Sequence, residues 1–360
     1  MSRAAADDVV RTSEECVANG RAPLLVLDPL RTFLDEHGIG DGDLRAEPIG
    51  EGHSNVTYAI RRDGADVVLR RPPRPPWPPS AHDVLREARI LRALQDTPAR
   101  VPRVLAVCED PELIGAPFYL MEKVDGHVIS RELPPELDTP RERQRIGEEF
   151  VDALVEVHAI DWQATSLAGL GRPAGYLERQ LRRFSALWEH NKTRDVADVD
   201  RVAAWLAEHM PPSPPATVVH GDYRLGNTML HPEAPARIVA ILDWEMATIG
   251  DPLADLGYLC ALWADPDDPP LAMFELNPVT RQPGFPRREQ LIARYAERSG
   301  HSPSDIRWYQ TLALWKALIF MEGNHRRALT GTTDDPFLKS FGDGVLELAG
   351  RAMTMCAGDP

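Results

Sequence analysis

Apolar residues recur along this chain with two different periods, and the change from one to the other divides it. From Leu24 to Gly38, Leu27, Leu30 and Leu34 share one face at helical spacing. After a glycine-bearing turn that opens at Ile49 the pattern switches to alternation, running on to Ile60. Asp63-Gly64 is a tight-hairpin dipeptide, and Asp66–Arg70 supplies the returning strand. Val84, Leu85, Ala88, Leu91 and Leu94 then predict a helix over Ala81–Leu94, while Val101–Val107 and Phe118–Lys123 read as two more strands. Between the returning strand and that helix, Arg71–Ser80 carries six prolines, which can neither join a sheet nor continue a helix, so the segment is expected to be an extended connector.

Beyond Val124 the helical period takes over. Arg141–Ile160 places Ile146, Phe150, Leu154 and Val157 on one stripe, and Tyr176–His190 and Val199–His209 follow with the same spacing. Pro211–Pro215 ends that run, two short apolar strands are expected at Thr217–Val219 and Arg237–Leu242, and the chain from Leu253 onward is again mostly helical. The pattern predicts an α+β protein with an N-terminal arm over 1–24, a small β-rich lobe over 25–124 containing one helix, and a larger mainly helical lobe over 125–360.

Composition narrows the function classes. At 43% hydrophobic and 26% charged the chain has the make-up of a globular protein. No apolar run approaches the ~20 residues that cross a bilayer, and Asp7 and Asp8 fall where an export signal would need apolar residues. The four cysteines stand far apart with no C-x-x-C pair, which points to a reducing, cytoplasmic setting without zinc or disulfides. A formal charge of −15 argues against a nucleic-acid partner and leaves a small-molecule partner, even a cationic one, open.

Chemistry concentrates between Val218 and Asp255. Val218-Val-His220-Gly-Asp222-Tyr-Arg224-Leu-Gly-Asn227 is followed by Ile241-Leu-Asp243-Trp-Glu245, so each of two apolar strands runs into a carboxylate. Phosphoryl transfer needs such a set, with one carboxylate to orient an acceptor hydroxyl and hard oxygen donors for magnesium beside it. The spacing resembles the H-x-D-x-x-x-x-N catalytic loop of the kinase superfamily. With Gly250-Asp-Pro-Leu-Ala-Asp255, it is similar to the aminoglycoside phosphotransferase family, above all to the kinase domains related to, or fused with, some acyl-CoA dehydrogenases.

That resemblance implies a protein-kinase-like two-lobed fold and an ATP- and Mg2+-dependent transfer to a small-molecule hydroxyl. It makes Asp222 the catalytic base, gives Asn227 and Asp243 to magnesium, and assigns loop support to His220 and Asp255. Arg224 stands where many kinases place a lysine that offsets the charge of the transferred group. In the N-terminal half, Gly50, Gly52, Ser54 and Asn55 would cover the phosphates, and main-chain groups of Glu122 and Val124 would meet the adenine. Glu87 would pair with a strand lysine, yet the matching position is Arg70 and no lysine precedes Lys123. Arginine keeps the charge but not the geometry, which leaves two outcomes open: Arg70 takes the phosphate-gripping role, or the protein is a non-catalytic ATP-binding pseudokinase.

Substrate signals are sparse. Arg179, Arg182 and Arg183 fall on one helix face and, with Lys316, are candidate contacts to an anionic acceptor such as a hydroxy acid or hydroxyacyl-CoA. The rival acceptor is an aminoglycoside, which the acidic composition favours and the basic helix disfavours.

Overall fold

A computed structural model describes residues 8–12, 22–50, 55–75, 82–331 and 341–358. The chain forms two compact units, one built from residues 1–97 and 101–125 and the other from 98–100 and 126–360. Residues 98–100 therefore leave the expected N-terminal lobe and belong with the helical unit.

The first unit is a five-stranded antiparallel sheet in the order β3-β4-β5-β7-β6. Its strands are β3 (Asp41–Ile49), β4 (Val56–Asp63), β5 (Ala65–Arg71), β6 (Val104–Cys108) and β7 (Phe118–Glu122). Gly64, at φ 77, supplies the left-handed backbone that closes the β4–β5 hairpin. Tyr58 lies opposite Leu69, which in turn faces Leu120, so one sheet face presents large apolar side chains. Helix α1 (Leu27–Glu36) covers that face with Leu30, Phe33 and Leu34, and Phe33 meets Phe118 edge-on at 5.1 Å.

Several boundaries differ from the sequence reading. The helix expected from Leu24 begins at Leu27, because Leu25–Val26 (β2) pairs in parallel with Val9–Val10 (β1). That pairing also puts residues 9–10 of the expected arm into a strand on this unit. The helix expected from Ala81 is α2 (Val84–Leu94), which starts where the Asp83 side chain accepts the Arg86 N–H at 2.9 Å. Strand β3 was not expected at all. Of the proline connector, residues 76–80 lie outside the described residues, as does Cys16.

The second unit contains α3 (Pro140–His158), α4 (Tyr176–Asn191), α5 (Ala197–Glu208), α6 (Leu253–Leu262), α7 (Arg288–Ser299), α8 (Ile306–Leu329) and α9 (Phe341–Ala357). Helix α3 starts as its sequence dictates, with Thr139 capping the Glu142 N–H at 3.2 Å and Pro140 in the first turn. Its stripe of Ile146, Phe150, Leu154 and Val157 is wholly buried. Helix α8 is buried on most of its positions from Trp308 to Glu322 and packs against α4, α5, α6 and α9. No described helix is long and apolar enough to cross a membrane.

Two small sheets hold the motif residues. Strand β9 (Thr217–Val219) pairs with β12 (Thr248–Gly250), while β10 (Thr228–Leu230) lies between β11 (Ile238–Ile241) and β8 (His127–Val128). Both put a catalytic-motif segment at a strand end, where the backbone is fixed on one side and free on the other.

Candidate phosphotransfer site

Asp222 leaves the end of β9 through Gly221, whose φ of +85 and close approach to the Met246 carbonyl leave no room for a Cβ. The chain then makes a short 3₁₀ turn over Leu225–Asn227 and enters β10. That turn folds Asn227 back onto Asp222: its Nδ2 donates to the Asp222 carboxylate at 2.7 Å and to the Asp222 carbonyl at 2.9 Å. Both bonds use the amide nitrogen, so Oδ1 of Asn227 is turned away from Asp222. The other carboxylate oxygen accepts from the Tyr258 hydroxyl at 2.6 Å, and Arg224 Nε stands 3.6 Å from Asp222. Arg224 is thus an ion-pair partner of Asp222 rather than a freely exposed arginine.

Asp243 follows β11 and has a left-handed backbone, at φ 64 and ψ 65. Thr228 pairs with Ile241 across the β10–β11 ladder, and the Leu242 N–H donates to the Asn227 carbonyl at 2.7 Å. The ladder therefore sets the Asn227 backbone beside the residue preceding Asp243, joining segments 16 positions apart. Among the described residues no group of three or more His, Cys, Asp or Glu side chains is placed to hold a metal ion. An Asn–Asp pair suits magnesium, which takes one or two protein oxygens and fills its octahedron with water and phosphate oxygens.

His220 and Asp255 brace this loop. His220 Nδ1 accepts the Asp222 N–H at 3.2 Å and its Nε2 lies 2.9 Å from the Leu242 carbonyl, which fixes the proton on Nε2. Asp255, in the first turn of α6, accepts the N–H groups of His220 at 2.6 Å and Gly221 at 2.8 Å, with His158 Nε2 at 3.3 Å. Burial alone would raise its carboxyl pKa, but the hydrogen bonds and positive potential of His158, His220 and Gly221 hold it below the ordinary value. Tyr258 stands one helical turn after Asp255, on the same face of α6. Burial, reinforced by the Asp222 charge, pushes its phenol well up, so it remains a donor. Sequence reasoning missed Tyr258; its only signal was the i, i+3 spacing from Asp255.

In the sheet unit, Arg70 on β5 donates from Nε to Glu87 on α2 at 2.9 Å, with Glu87 only 1% exposed. The arginine thus occupies the lysine's place in a strand–helix ion pair. Gly50 has φ +82 in the turn after β3, and Gly52 and Ser54 lie outside the described residues. Asn55 is buried and its Oδ1 lies 3.1 Å from His82 Nδ1, so that amide is engaged locally. Glu122 closes β7 with its N–H on the Arg103 carbonyl and its Oε1 on the Arg103 N–H, and Val124 lies just beyond the strand. Arg179 is turned onto the carbonyls of Arg172 and Ala174, which removes it from the expected basic trio; Arg182 and Arg183 remain exposed on α4.

A sheet unit with a charged strand–helix pair, together with a helical unit bearing this catalytic-type loop, defines the protein-kinase-like fold. Residues 45–289 match the phosphotransferase enzyme family, and the chain belongs to it. It is 35% identical over 325 residues to acyl-CoA dehydrogenase family member 10 of Mus musculus, covering 89% of this chain and 30% of the mouse protein. Acyl-CoA dehydrogenase family member 11 of Homo sapiens is 31% identical over 319 residues, covering 86% of this chain and 40% of the human one. The chain thus spans well under half the length of these relatives. Among solved structures, a Ralstonia eutropha protein provisionally assigned as an aminoglycoside phosphotransferase is 29% identical, with a TM-score of 0.78 over 92% of this chain and 98% of that one. A thermostable mutant of aminoglycoside phosphotransferase APH(4)-Ia, crystallised with AMP-PNP and hygromycin B, shares the fold at 17% identity and a TM-score of 0.58, covering 92% and 98%.

Proposed function

We propose that this kinase moves the γ-phosphate of ATP, with magnesium, to a hydroxyl group of a small acid or acyl thioester. The observation that carries the reading is the Asp222–Asn227 hydrogen bond, which leaves Oδ1 of Asn227 for a cation while the Asp222 carboxylate stays beside it. Asp222 would accept a hydrogen bond from the acceptor hydroxyl and aim its oxygen for in-line attack, taking the proton as the new O–P bond forms and the bond from the γ-phosphorus to the β-phosphate oxygen breaks, releasing ADP. Asn227 and Asp243 would hold magnesium, which would offset the charge of the phosphates. Arg224, 3.6 Å from Asp222, would stabilise charge on the transferred group. Arg70, held by Glu87, would bind the α- and β-phosphates through its guanidinium.

The acyl-CoA dehydrogenase names of the curated relatives support a hydroxy acid or hydroxyacyl-CoA acceptor, whereas the solved relative bound to hygromycin B supports an aminoglycoside. The test is a thermal-shift titration with Mg-ATP, then an ADP-release screen over hydroxyacyl-CoA, hydroxy acid, aminoglycoside and amino-alcohol acceptors. Stabilisation by Mg-ATP with turnover on an acidic or thioester acceptor is expected. Stabilisation with no turnover on any acceptor would point to the non-catalytic alternative.

Arg70→Ala is expected to raise the apparent KM for ATP by about tenfold or more, the size of a lost charge-assisted hydrogen bond of roughly 1.5–3 kcal/mol. Steady-state kinetics with ATP as the varied substrate measures it. An unchanged constant would place the phosphate grip elsewhere.

A further inference from the structure

Of the groups that touch Asp222, Tyr258 is the one the mechanism above leaves without a task. The two oxygens of the Asp222 carboxylate are not equivalent. Oδ2 takes the Asn227 amide at 2.7 Å and has Arg224 Nε at 3.6 Å, so two donors already share its lone pairs. Oδ1 has one partner among the described residues, the Tyr258 hydroxyl at 2.6 Å, and keeps a second lone pair. An O–H···O⁻ bond of that length is of the short, charge-assisted kind. Burial first, and the Asp222 charge after it, hold the phenol well above its ordinary acidity, so the hydroxyl stays a donor. The Asp222 side chain is 26% exposed, which leaves it within reach of an acceptor.

The helix that carries this hydroxyl makes it a fixed point. One turn before Tyr258 on α6, Asp255 accepts the N–H groups of His220 and Gly221. A single helical turn therefore grips both the backbone leading into Asp222 and the far end of its side chain. That turn is itself locked. Between the two residues lies Gly257, where a Cβ would fall 2.5 Å from the Tyr309 Cβ and 2.6 Å from its carbonyl carbon on α8. Glycine weakens a helix, and here its bare Cα is what lets the α8 backbone come so close. Tyr309 also donates to Asp251, just ahead of α6, at 2.8 Å. Helix α6 can neither rotate nor slide without breaking these contacts, so the Tyr258 hydroxyl holds its place relative to the loop.

We propose that Tyr258 is a positioning residue that sets the rotation of the Asp222 carboxylate, making Oδ1 the oxygen that takes the hydrogen bond of the acceptor hydroxyl. The proposal rests on the phosphotransferase reading and deepens it by giving each oxygen its own task. Oδ2 restrains the Asn227 amide, and Oδ1, aimed by the phenol, receives the acceptor. Without the phenol the carboxylate is held at one end only and can turn about its Cβ–Cγ bond, which misdirects the lone pair the acceptor needs. Asn227 keeps its bond to the Asp222 carbonyl in either case, so the cation side of the loop is little changed.

Tyr258→Phe keeps the ring and removes only the hydroxyl. The test measures ADP release by the full chain with Mg-ATP varied, against each acceptor class of the screen above. The kcat is expected to fall by about 10- to 100-fold, the range for a lost hydrogen bond to a charged group, with the KM for ATP within about twofold of the wild type. In an Asp222→Ala background the same change should alter the residual turnover by less than about twofold, because the partner through which Tyr258 acts is gone. An unchanged kcat overturns the proposal, and so does a fall in kcat matched by a rise in the KM for ATP, which would put the phenol on the nucleotide side. A second full-sized loss in the Asp222→Ala background overturns it too, by showing that the hydroxyl acts on another group. A Tyr258→Phe chain that no longer folds, read as loss of its melting transition, also counts against it, since the hydroxyl would then hold the fold rather than aim a carboxylate. Absence of ADP release from the wild-type protein with every acceptor would instead overturn the phosphotransferase reading, and the role of Tyr258 with it.

Discussion

Asp222→Ala is expected to lower turnover by about 10²- to 10⁴-fold, the range for a positioned acid or base. The loss has three sources. The acceptor hydroxyl loses the oxygen that aligns it, and the Asn227 amide loses the carboxylate that holds its nitrogen at 2.7 Å. With that restraint gone the amide can rotate, so the oxygen left for the cation is no longer aimed. Tyr258 loses its acceptor as well, and a buried phenol without a partner adds to the disorder of the loop. ADP release with saturating acceptor measures the effect, and a thermal shift with Mg-ATP checks that the variant is folded. Full activity would refute the assignment of Asp222.

The largest effect on stability is expected at Asp255. Its carboxylate accepts two backbone N–H groups and stands 3.3 Å from His158 Nε2, all in the interior. Asp255→Ala orphans those donors together, and removal of one partner from a buried charged network costs about 3–5 kcal/mol. The midpoint of urea unfolding at neutral pH should fall accordingly, and a midpoint within experimental error of the wild type would show that water replaces the carboxylate. The sign of the pH dependence follows from the lowered carboxyl pKa. The stabilisation is fully present above the unfolded carboxyl value of about 4 and is lost as pH falls through the folded value. Asp255→Asn should therefore weaken the protein at neutral pH and flatten the acid limb of its stability profile.

The hairpin at Asp63-Gly64, the α3 stripe and strand β9 follow directly from period and turn chemistry, because there local preference and burial agree. Strand β3 is the opposite case. Seven of its nine residues are exposed and it contains Pro48, so as an edge strand it offers neither alternation nor a continuous apolar run. In the catalytic region, the five-residue step from Asp222 to Asn227 becomes a hydrogen bond because the 3₁₀ turn folds the chain back on itself. Tyr258 has no such local signature. Only the phase of α6, set by tertiary packing, puts it on the Asp255 face.

The backbone at Asp243 decides which substitutions there can be interpreted. Asparagine tolerates that left-handed conformation nearly as well as aspartate, whereas alanine pays about 1–2 kcal/mol to adopt it. An alanine variant would thus mix a distorted loop with a missing ligand, and a dead enzyme would say little about either. The amide replacement keeps shape, size and turn preference, and isolates the contribution of a single negative charge.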